Sequence, residues 1–243
     1  MTILAVNECF GPTIQGEGRS QGMPCIFLRM AACNLHCIWC DTPYTWNWTK
    51  TPFKHPDKYD PKKEIHKVKA DDLLDQLKIF GEKFNIKFLV VTGGEPLLQQ
   101  ARLVEVLSPL QKDGWWIEVE TNGTILPSSS FAACVTQFNI SPKLANAGDP
   151  ENIRIIPKVL KELALGNKCF FKFVVKSYTD TEEIEALINR FKIPAERVWL
   201  MPEGRTREEL AVTEPIAAYV AKNKGWCYTD RRHILLFGNR RGV

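Results

Sequence analysis

The sequence predicts an α/β fold built on a parallel sheet of about six strands. Six short, apolar, β-rich runs recur along the chain, and segments with helical periodicity lie between several of them. Strands that alternate with helices form βα units, whose parallel sheet is either open or closed into a barrel. Six strands are fewer than the roughly eight of a complete barrel. The predicted strands are 25–30, 87–93, 115–121, 137–143, 170–176 and 197–203.

Four segments between these runs have the pattern of amphipathic helices. The clearest covers 70–84, where apolar residues recur at i, i+3 and i+4 behind Asp71 and Asp72. Acidic residues favour a helix N-terminus because they oppose the positive end of the helix dipole. The other helices are predicted at 97–111, 153–165 and 181–191.

Length and composition narrow the class of protein. The chain has 243 residues, of which 44% are hydrophobic and 25% charged, as in a globular protein with its own core. We predict one domain over residues 1–243. The net charge of +4 is too small to indicate nucleic-acid binding. No apolar run approaches the ~18–20 residues of a membrane helix. The N-terminus lacks the pattern of a secretory signal. We therefore expect a cytoplasmic protein with neither a nucleic-acid nor a membrane partner.

The segment 49–69 departs from the alternating pattern. It holds three prolines and seven lysines and shows no apolar periodicity. It is predicted to be a surface insertion, and the simplest interpretation is a solvated loop. A substrate lid or a partner-docking surface is the alternative, because long loops often carry function.

Three of the eight cysteines are clustered, in a C-x3-C-x2-C loop formed by Cys33, Cys37 and Cys40. Three thiolates in one loop can bind three irons of a cube and leave the fourth iron open, since such clusters normally take four cysteines. Unliganded thiols and a zinc site with His36 are the alternatives, but adjacent His36 and Cys37 fit one tetrahedral ion poorly. The remaining cysteines are predicted to be small buried residues: Cys9, Cys25, Cys134, Cys169 and Cys227.

Two glycine-containing segments carry further signals. The run VVTGGEP at 90–96 ends a predicted strand with two glycines, which let a ligand approach the backbone, and Glu95 can accept hydrogen bonds from an ammonium group. A plain strand-to-helix turn is the alternative. Residues 8–18 are predicted to be a loop that presents backbone amides and the Gln15 side chain to a ligand, or else a surface turn.

The cysteine spacing, with the aromatic Trp39 directly before Cys40, resembles the radical S-adenosylmethionine (SAM) superfamily, and so does TGGEP at 92–96. The resemblance implies a partial βα barrel with a [4Fe–4S] cluster whose open iron is chelated by SAM. It also implies that an electron from the cluster cleaves SAM to a radical that abstracts hydrogen from the substrate. The protein then binds, orients and excludes water.

Other motifs are similar to the 7-carboxy-7-deazaguanine synthase family, and the similarity covers most of the chain. It implies a carbon–nitrogen lyase that converts 6-carboxy-5,6,7,8-tetrahydropterin to 7-carboxy-7-deazaguanine with loss of ammonia, assisted by Mg²⁺, in 7-deazapurine (queuosine-type) biosynthesis. It also implies a homodimer reduced by flavodoxin or ferredoxin. The motifs are FGPTIQGEG (10–18), FLRMAAC (27–33), CIWCDTPYTW (37–46), ETNGT (120–124), SPK (141–143) and HILLFGNRRGV (233–243).

The same resemblance implies roles for individual residues. Substrate-binding positions correspond to Ile14, Gln15, Gly16, Arg29, Thr92, His233 and Val243, the last through a terminal carboxylate. Positions at or beside SAM correspond to Trp39, Gly94, Glu95, Glu120, Asn122, Ser141, Pro142 and Lys143. The metal ligands are Cys33, Cys37 and Cys40 for the cluster and Thr42 for Mg²⁺.

The chemistry of these residues agrees with the implied roles. A glutamine amide both donates and accepts, as a pterin edge requires, and a guanidinium fork suits a carboxylate. Simpler roles remain open: a surface ion pair for Arg29, a structural role for His233 and a turn cap for Thr42. The sequence departs from the family at Met201, where many relatives carry a polar residue.

Two other functions compete with this interpretation. A radical SAM activase that makes a glycyl radical on a partner protein shares the cysteine loop but has no need of FGPTIQGEG or SPK. A metal-stabilised RNA-binding module is suggested by the basic segment with Phe53 and Tyr59. It would need aromatic residues stacked on a basic sheet, which none of the predicted strands provides.

Overall fold

The computed structural model describes residues 2–243, which fold around one sheet of nine strands. The strand order across the sheet is β3-β1-β2-β4-β5-β6-β7-β8-β9. The strands are β1 (Ile3–Ile14), β2 (Pro24–Met30), β3 (His66–Lys69), β4 (Phe88–Gly93), β5 (Trp116–Thr121), β6 (Gln137–Ile140), β7 (Cys169–Val175), β8 (Val198–Pro202) and β9 (Cys227–Tyr228).

The predicted parallel sheet is confirmed. The six predicted strands correspond to β2 and β4–β8, which pair in parallel one after another. The short β9 extends this parallel series, whereas β1 and β3 add antiparallel strands at the other edge. β3 and β9 remain unjoined edges, so the sheet forms an incomplete barrel, as the resemblance implied.

Helices cover the sheet in the order expected of βα units. They are α1 (Pro61–Glu64), α2 (Ala70–Phe84), α3 (Gln100–Lys112), α4 (Ser129–Cys134), α5 (Glu151–Arg154), α6 (Pro157–Leu165), α7 (Asp180–Phe191), α8 (Arg207–Lys224) and α9 (Arg232–Phe237). Short 3₁₀ turns cover Pro43–Thr45, Pro96–Gln99, Ala145–Ala147 and Ala195–Arg197. Within residues 2–243, no helix combines the length and the apolarity that crossing a bilayer requires.

Two predicted helices differ in detail, and the longest helix of the structure was not predicted. The segment 153–165 is divided into α5 and α6, because Pro157 lacks an N–H and therefore starts a helix rather than continuing one. The segment 97–111 begins as a 3₁₀ turn before α3. Helix α8 escaped prediction because its apolar stripe is weak and Pro215 lies inside it, although Thr206 caps its N-terminus through Glu209 N.

The main core lies between the sheet and the helices, and the strands alternate between this core and the barrel interior. Leu89 and Val91 of β4 join the main core with residues of α2 and α3. Phe88 and Val90 point to the opposite face and pack with Cys25 of β2. Both faces of β4 are therefore buried, which explains its continuous apolar sequence.

The prediction of a loop over residues 8–18 is wrong for its first half. Strand β1 continues to Ile14 and pairs with β2, and only residues after Ile14 form the loop. The alternation of apolar residues along β1 is interrupted by register shifts between Val6 and Glu8 and between Phe10 and Thr13. These irregularities hid the strand from a period-2 search.

The segment 49–69 is partly built into the fold. Its C-terminal end forms β3, which pairs with β1, and His55 is only 1% exposed. Phe53 stacks on His36 of the cysteine loop with ring centroids 3.5 Å apart. Phe53 is thus occupied inside the protein and does not form a stacking platform for RNA bases.

Candidate active site

A cavity of about 230 Å³ opens at the C-terminal ends of the parallel strands. This is the end at which parallel βα folds place their ligands. Successive strands each contribute a lining residue at or just beyond their C-terminal end: Arg29 from β2, Thr92 from β4, Glu120 from β5, Ser141 after β6, Val174 from β7 and Met201 from β8.

The cysteine loop, residues 33–40, forms one wall of this cavity directly after β2. Cys33, Cys37 and Cys40 all line the cavity. The loop is held from outside: the Asp149 carboxylate accepts a hydrogen bond from His36 N at 2.9 Å. The Trp46 indole N–H donates to Cys40 Sγ at 3.3 Å. The loop is therefore fixed by neighbours on both flanks.

Burial favours the protonated form of all three thiols in the cysteine loop. Burial raises the pKa of Cys37 to about 12; Lys143 opposes the rise and neighbouring Cys40 adds to it. Burial also raises the pKa of Cys33, and the thiols of Cys37 and Cys40 add to this rise. Thiols in such surroundings ionise when a metal takes the place of the proton.

The spacing of the sulfurs does not match the geometry of a single zinc ion. Across residues 2–243, the only three acidic, histidine or cysteine side chains with ligand atoms within 4.8 Å of one another are Glu17, Asp41 and His233. The three sulfurs are thus spread more widely than one tetrahedral zinc ion requires. His36 faces Phe53 rather than completing a zinc site.

The TGGEP segment, residues 92–96, packs against the chain that leads into the cysteine loop. A Cβ at Gly93 would lie 2.2 Å from Met30 O, and one at Gly94 would lie 1.9 Å from Ala32 O. Gly94 N and Glu95 N also donate to Met30 O and Ala32 O, at 3.1 and 2.9 Å. The glycines are therefore needed because the chain that leads into the cysteine loop passes against them, and Gly94 still lines the cavity.

Glu95, which is predicted to accept hydrogen bonds from SAM, is not among the residues that line the cavity, and its contact with SAM stays a prediction. The side chain is fully buried, and its carboxylate accepts from Leu97 N at 3.0 Å, Thr121 Oγ1 at 2.9 Å and Asn122 N at 2.7 Å. These bonds join the turn after β4 to the end of β5. Glu95 positions Asn122, which does line the cavity.

The other predicted SAM residues, except Pro142, are brought to the same cavity. Lys143 Nζ donates to Ser141 Oγ at 2.8 Å and lies 5.6 Å from the centre of the Trp39 ring. Asn122 Nδ2 donates to Asn34 Oδ1 at 2.9 Å, which ties the end of β5 to the cysteine loop. Pro142 does not line the cavity.

Four of the predicted substrate residues also line this cavity: Ile14 at the end of β1, Gln15 and Gly16 directly after it, and Arg29 of β2. Gln15 is nearly fully buried, and its amide already donates to Glu118 Oε1 at 2.5 Å. Arg29 Nε pairs with Glu8 Oε1 at 2.6 Å, so its guanidinium is oriented within a part-buried site.

An ionic network that the sequence did not reveal forms a second wall of the cavity. Lys172 Nζ lies 2.6 Å from Glu17 Oε2 and 2.9 Å from Glu120 Oε2, and its side chain is 6% exposed. Arg231 Nε lies 3.1 Å from Glu17 Oε1, and the same guanidinium pairs with Asp41. Glu120, predicted beside SAM, therefore belongs to this network. Burial tends to raise the pKa of Glu17, but Lys172 and Arg231 together hold it well below its usual range.

His233 lies at the edge of this network, with Nε2 3.9 Å from Glu17 Oε1. Burial lowers its pKa to about 4, so the imidazole is neutral at physiological pH. A Cβ at Gly16 would lie 2.2 Å from His233 Nδ1, which requires glycine at that position. Although Glu17, Asp41 and His233 are close enough to hold an ion, Arg231 already balances both carboxylates.

Thr42 lies between the two walls. Its Oγ1 is 3.6 Å from Cys40 Sγ, and it makes no capping hydrogen bond to the 3₁₀ turn that follows. The turn-cap role is thus not the one observed. The C-terminal segment completes the cavity, since residues 239, 240, 242 and 243 line it, including the predicted Val243.

Comparison with known proteins gives the class of protein first. Residues 28–199 match the family model described as the radical SAM superfamily. The structure is similar to the crystal structure of QueE from Escherichia coli, with a TM-score of 0.70 and 24% identity over 95% of each chain. That similarity agrees with the incomplete barrel.

Curated relatives define the family more narrowly. A 7-carboxy-7-deazaguanine synthase of Pyrobaculum aerophilum is 34% identical over 98% of this chain and 97% of its own length. One of Rhodopirellula baltica is 33% identical over 99% of this chain and 89% of its own length. The chain therefore belongs to the 7-carboxy-7-deazaguanine synthase family of the radical SAM superfamily.

Proposed function

We propose that this chain is a 7-carboxy-7-deazaguanine synthase, a carbon–nitrogen lyase that converts 6-carboxy-5,6,7,8-tetrahydropterin to 7-carboxy-7-deazaguanine with loss of ammonia. The observation that carries the proposal is that one cavity brings together the cysteine loop and the substrate motif of β1 and β2. A glycyl-radical activase has no use for the second wall, because its substrate is a segment of another protein.

The cysteine loop fits a [4Fe–4S] cluster, with Cys33, Cys37 and Cys40 as its ligands. When bound, the cluster and SAM supply hydrogen abstraction from the substrate. Trp39, Gly94, Asn122, Ser141 and Lys143 surround the space that SAM would occupy, and they include hydrogen-bond donors and acceptors suited to its polar groups.

Arg29, His233 and the ionic network supply the polar groups that the pterin requires. Arg29 is a guanidinium suited to the substrate carboxylate, and its pairing with Glu8 fixes its direction. The pyrimidinone ring presents N–H donors, for which the carboxylates of Glu17 and Glu120, both paired with Lys172, offer acceptors. Neutral His233 offers one donor and one acceptor. A preorganised site of this kind positions the substrate carbon at which hydrogen is removed.

We also propose Thr42 as a ligand of Mg²⁺. A hydroxyl beside Cys40, at the boundary of the two walls, suits a hard cation that keeps several waters and shares oxygens with a substrate. Thr42→Ala is expected to leave iron content and SAM affinity nearly unchanged, to weaken the response to magnesium and to slow turnover by roughly tenfold for each ~1.4 kcal/mol lost. A magnesium titration of both proteins measures this, and identical responses would place the metal elsewhere.

The central test is a reconstitution. The anaerobically reconstituted protein would be mixed with SAM, a reductant, Mg²⁺ and 6-carboxy-5,6,7,8-tetrahydropterin. Formation of an ultraviolet-absorbing deazapurine is expected. Reductive cleavage of SAM without that product would contradict the proposed substrate.

Further aspects complete the proposal. We propose a cytoplasmic homodimer that receives electrons from flavodoxin or ferredoxin and has no nucleic-acid or membrane partner. Sedimentation tests the homodimer, and reduction of the cluster by purified flavodoxin or ferredoxin tests the electron donor. We also propose that residues 1–243 form one domain, which the single nine-stranded sheet supports, and that 49–69 is an insertion relative to shorter relatives.

A further inference from the structure

The C-terminal segment, residues 239–243, forms part of the cavity wall although it follows the last helix and contains no helix or strand of its own. Within the described chain, one side chain, Arg241, makes all the hydrogen bonds that connect this segment to the protein outside the C-terminal region. The only other is internal to the C-terminal region: Arg240 Nε donates to Phe237 O at 2.7 Å.

Arg241 faces away from the cavity and grips Glu64, at the end of α1. Its NH1 donates to Glu64 Oε1 at 3.1 Å, and its NH2 donates to Glu64 Oε2 at 2.8 Å, which is a two-pronged pairing of guanidinium and carboxylate. The buried Asn7 of β1 closes the arrangement: it donates to Glu64 Oε2 at 2.9 Å and accepts from Arg241 NH2 at 3.3 Å.

The same guanidinium also packs against the aromatic ring of a residue that lines the cavity. Its Cζ lies 3.7 Å from the centre of the Tyr44 ring, which is itself a cavity residue. Its Nε lies 3.9 Å from Glu8 Oε2, while the other oxygen of Glu8 holds Arg29. Arg241 is therefore joined through Glu8 and Tyr44 to a predicted substrate-binding arginine.

We propose that the Arg241–Glu64 clasp is a positioning device that holds residues 239–243 against the bound pterin. The inference rests on the proposed function for the identity of the ligand. It assigns a role to the segment 49–69, which supplies Glu64: this segment anchors the C-terminal wall of the substrate site. Arg241 acts through the residues on either side of it, since it does not itself line the cavity.

The electrostatics set the size of the expected effect. Burial tends to raise the pKa of Glu64, but the hydrogen bonds from Arg241 and Asn7 outweigh it and lower the value, so the carboxylate is ionised at neutral pH. The Arg241 side chain, however, is 43% exposed, and solvent screens part of the attraction. A moderate loss of affinity is therefore expected.

The experiment measures substrate binding and segment protection separately, in the anaerobic holoenzyme with SAM and without reductant. For Arg241→Ala we expect a pterin Kd about tenfold weaker, equivalent to ~1.4 kcal/mol, by calorimetry. SAM affinity should stay unchanged. Hydrogen–deuterium exchange over 238–243 should become faster. Glu64→Gln should act in the same way, and the double variant should be no worse than either single variant, because the pair works as a unit.

Two further variants guard the interpretation. Arg241→Lys keeps the charge but not the fork, so an intermediate loss of pterin affinity is expected, with less disturbance of folding. Arg190→Ala removes a comparable exposed arginine, which pairs with Glu151 at 3.3 Å far from this segment, and should change neither measurement.

The proposal is overturned if Arg241→Ala leaves exchange over 238–243 unchanged. It is also overturned if exchange accelerates while the pterin Kd stays the same, since the segment would then be held but would not serve the site. A wild-type holoenzyme that binds no pterin would contradict the proposed function instead. In that case faster exchange in Arg241→Ala still supports the clasp, and unchanged exchange still overturns it.

Discussion

The two walls of the cavity are built by different physical means. The cysteine wall, formed by the cysteine loop and the ends of β4 and β5, is held by close packing and hydrogen bonds to the backbone. Gly93 and Gly94 admit the chain against them, and the buried Glu95 accepts two backbone N–H bonds. The ionic wall instead depends on Glu17, Glu120, Lys172, Arg231 and Asp41, whose charges offset one another.

The difference matches the task that the proposed function gives to each wall. The cysteine wall would hold three thiolates in a fixed arrangement, and close packing and backbone hydrogen bonds provide that rigidity. The ionic wall would bind a polar heterocycle, and paired charges present donors and acceptors without leaving any charge alone in a buried site. Each wall should therefore fail in its own way when a single side chain is removed.

The largest effect is expected at the cysteine wall. Cys37→Ala should reduce the iron content of the reconstituted protein and abolish turnover, because the cluster would lose one of its three protein ligands. Iron analysis and the electron paramagnetic resonance of the reduced protein measure the loss. Cys227→Ala removes a cysteine that does not line the cavity and should keep full iron. A fully loaded Cys37→Ala protein would refute the assignment.

The ionic wall should respond most strongly at its central cation. Lys172→Met leaves Glu120 without its ion-pair partner and Glu17 with Arg231 as its main one, and breaking a buried pair costs about 3–5 kcal/mol of unfolding free energy. Denaturant unfolding measures the cost, and pterin affinity should fall as well. As a control, Lys224→Met breaks an exposed pair with Glu185 and should lie within about 0.5 kcal/mol of wild type. Equal effects in the two variants would mean that burial of the network is unimportant.

A smaller effect is expected at Glu95, where it distinguishes support from ligand contact. Glu95→Gln places an NH₂ group either against the donors of Leu97 and Thr121 or against that of Asn122, and should lower stability by about 1.5–3 kcal/mol. Glu105→Gln, at the exposed hydrogen bond with Thr2, is the matched control. If SAM affinity collapses while the unfolding free energy is unchanged, Glu95 contacts SAM directly and the supporting role is wrong.

The smallest effect concerns the pH dependence of stability beneath the ionic wall. Burial, and then the neighbouring Glu120, raise the pKa of Glu118 from its ordinary 4.5 to about 7. Between these values the native state keeps a proton that the unfolded state has lost. The contribution of Glu118 to stability is therefore complete below pH 4.5 and is lost as the pH rises through 7.

Glu118→Gln removes this dependence. The unfolding free energy of the wild type should fall relative to that of the variant as the pH rises from about 4.5 to 7, as followed by denaturant titrations at several pH values. Glu162→Gln, on the exposed face of α6, is the control. A constant difference across that range would show that Glu118 does not titrate there.

The sequence identified elements whose signal is local. The strands β2 and β4–β8 were found because each is a short run rich in apolar and β-branched or aromatic residues. The cysteine loop was found because three ligands of one centre lie within one short segment. Strand β1 was missed because register shifts break its alternation, and the hydrogen bonds of Glu95 to the end of β5 were missed because a motif shows a carboxylate without showing what surrounds it.

By itself, then, the sequence determined the α/β class, the cysteine loop, the motifs of both walls and the family. Only the tertiary structure decided how the ionic wall and the C-terminal clasp are assembled. Lys172 and Glu17 are 155 positions apart, Arg231 and Asp41 are 190 apart, and Arg241 and Glu64 are 177 apart. A lone charged residue in a sequence gives no sign of its partner, because the pairing depends on which strand ends the sheet brings together. The physical reason is that short-range ligand spacing is written along the chain, whereas charge compensation in a buried site exists only after folding.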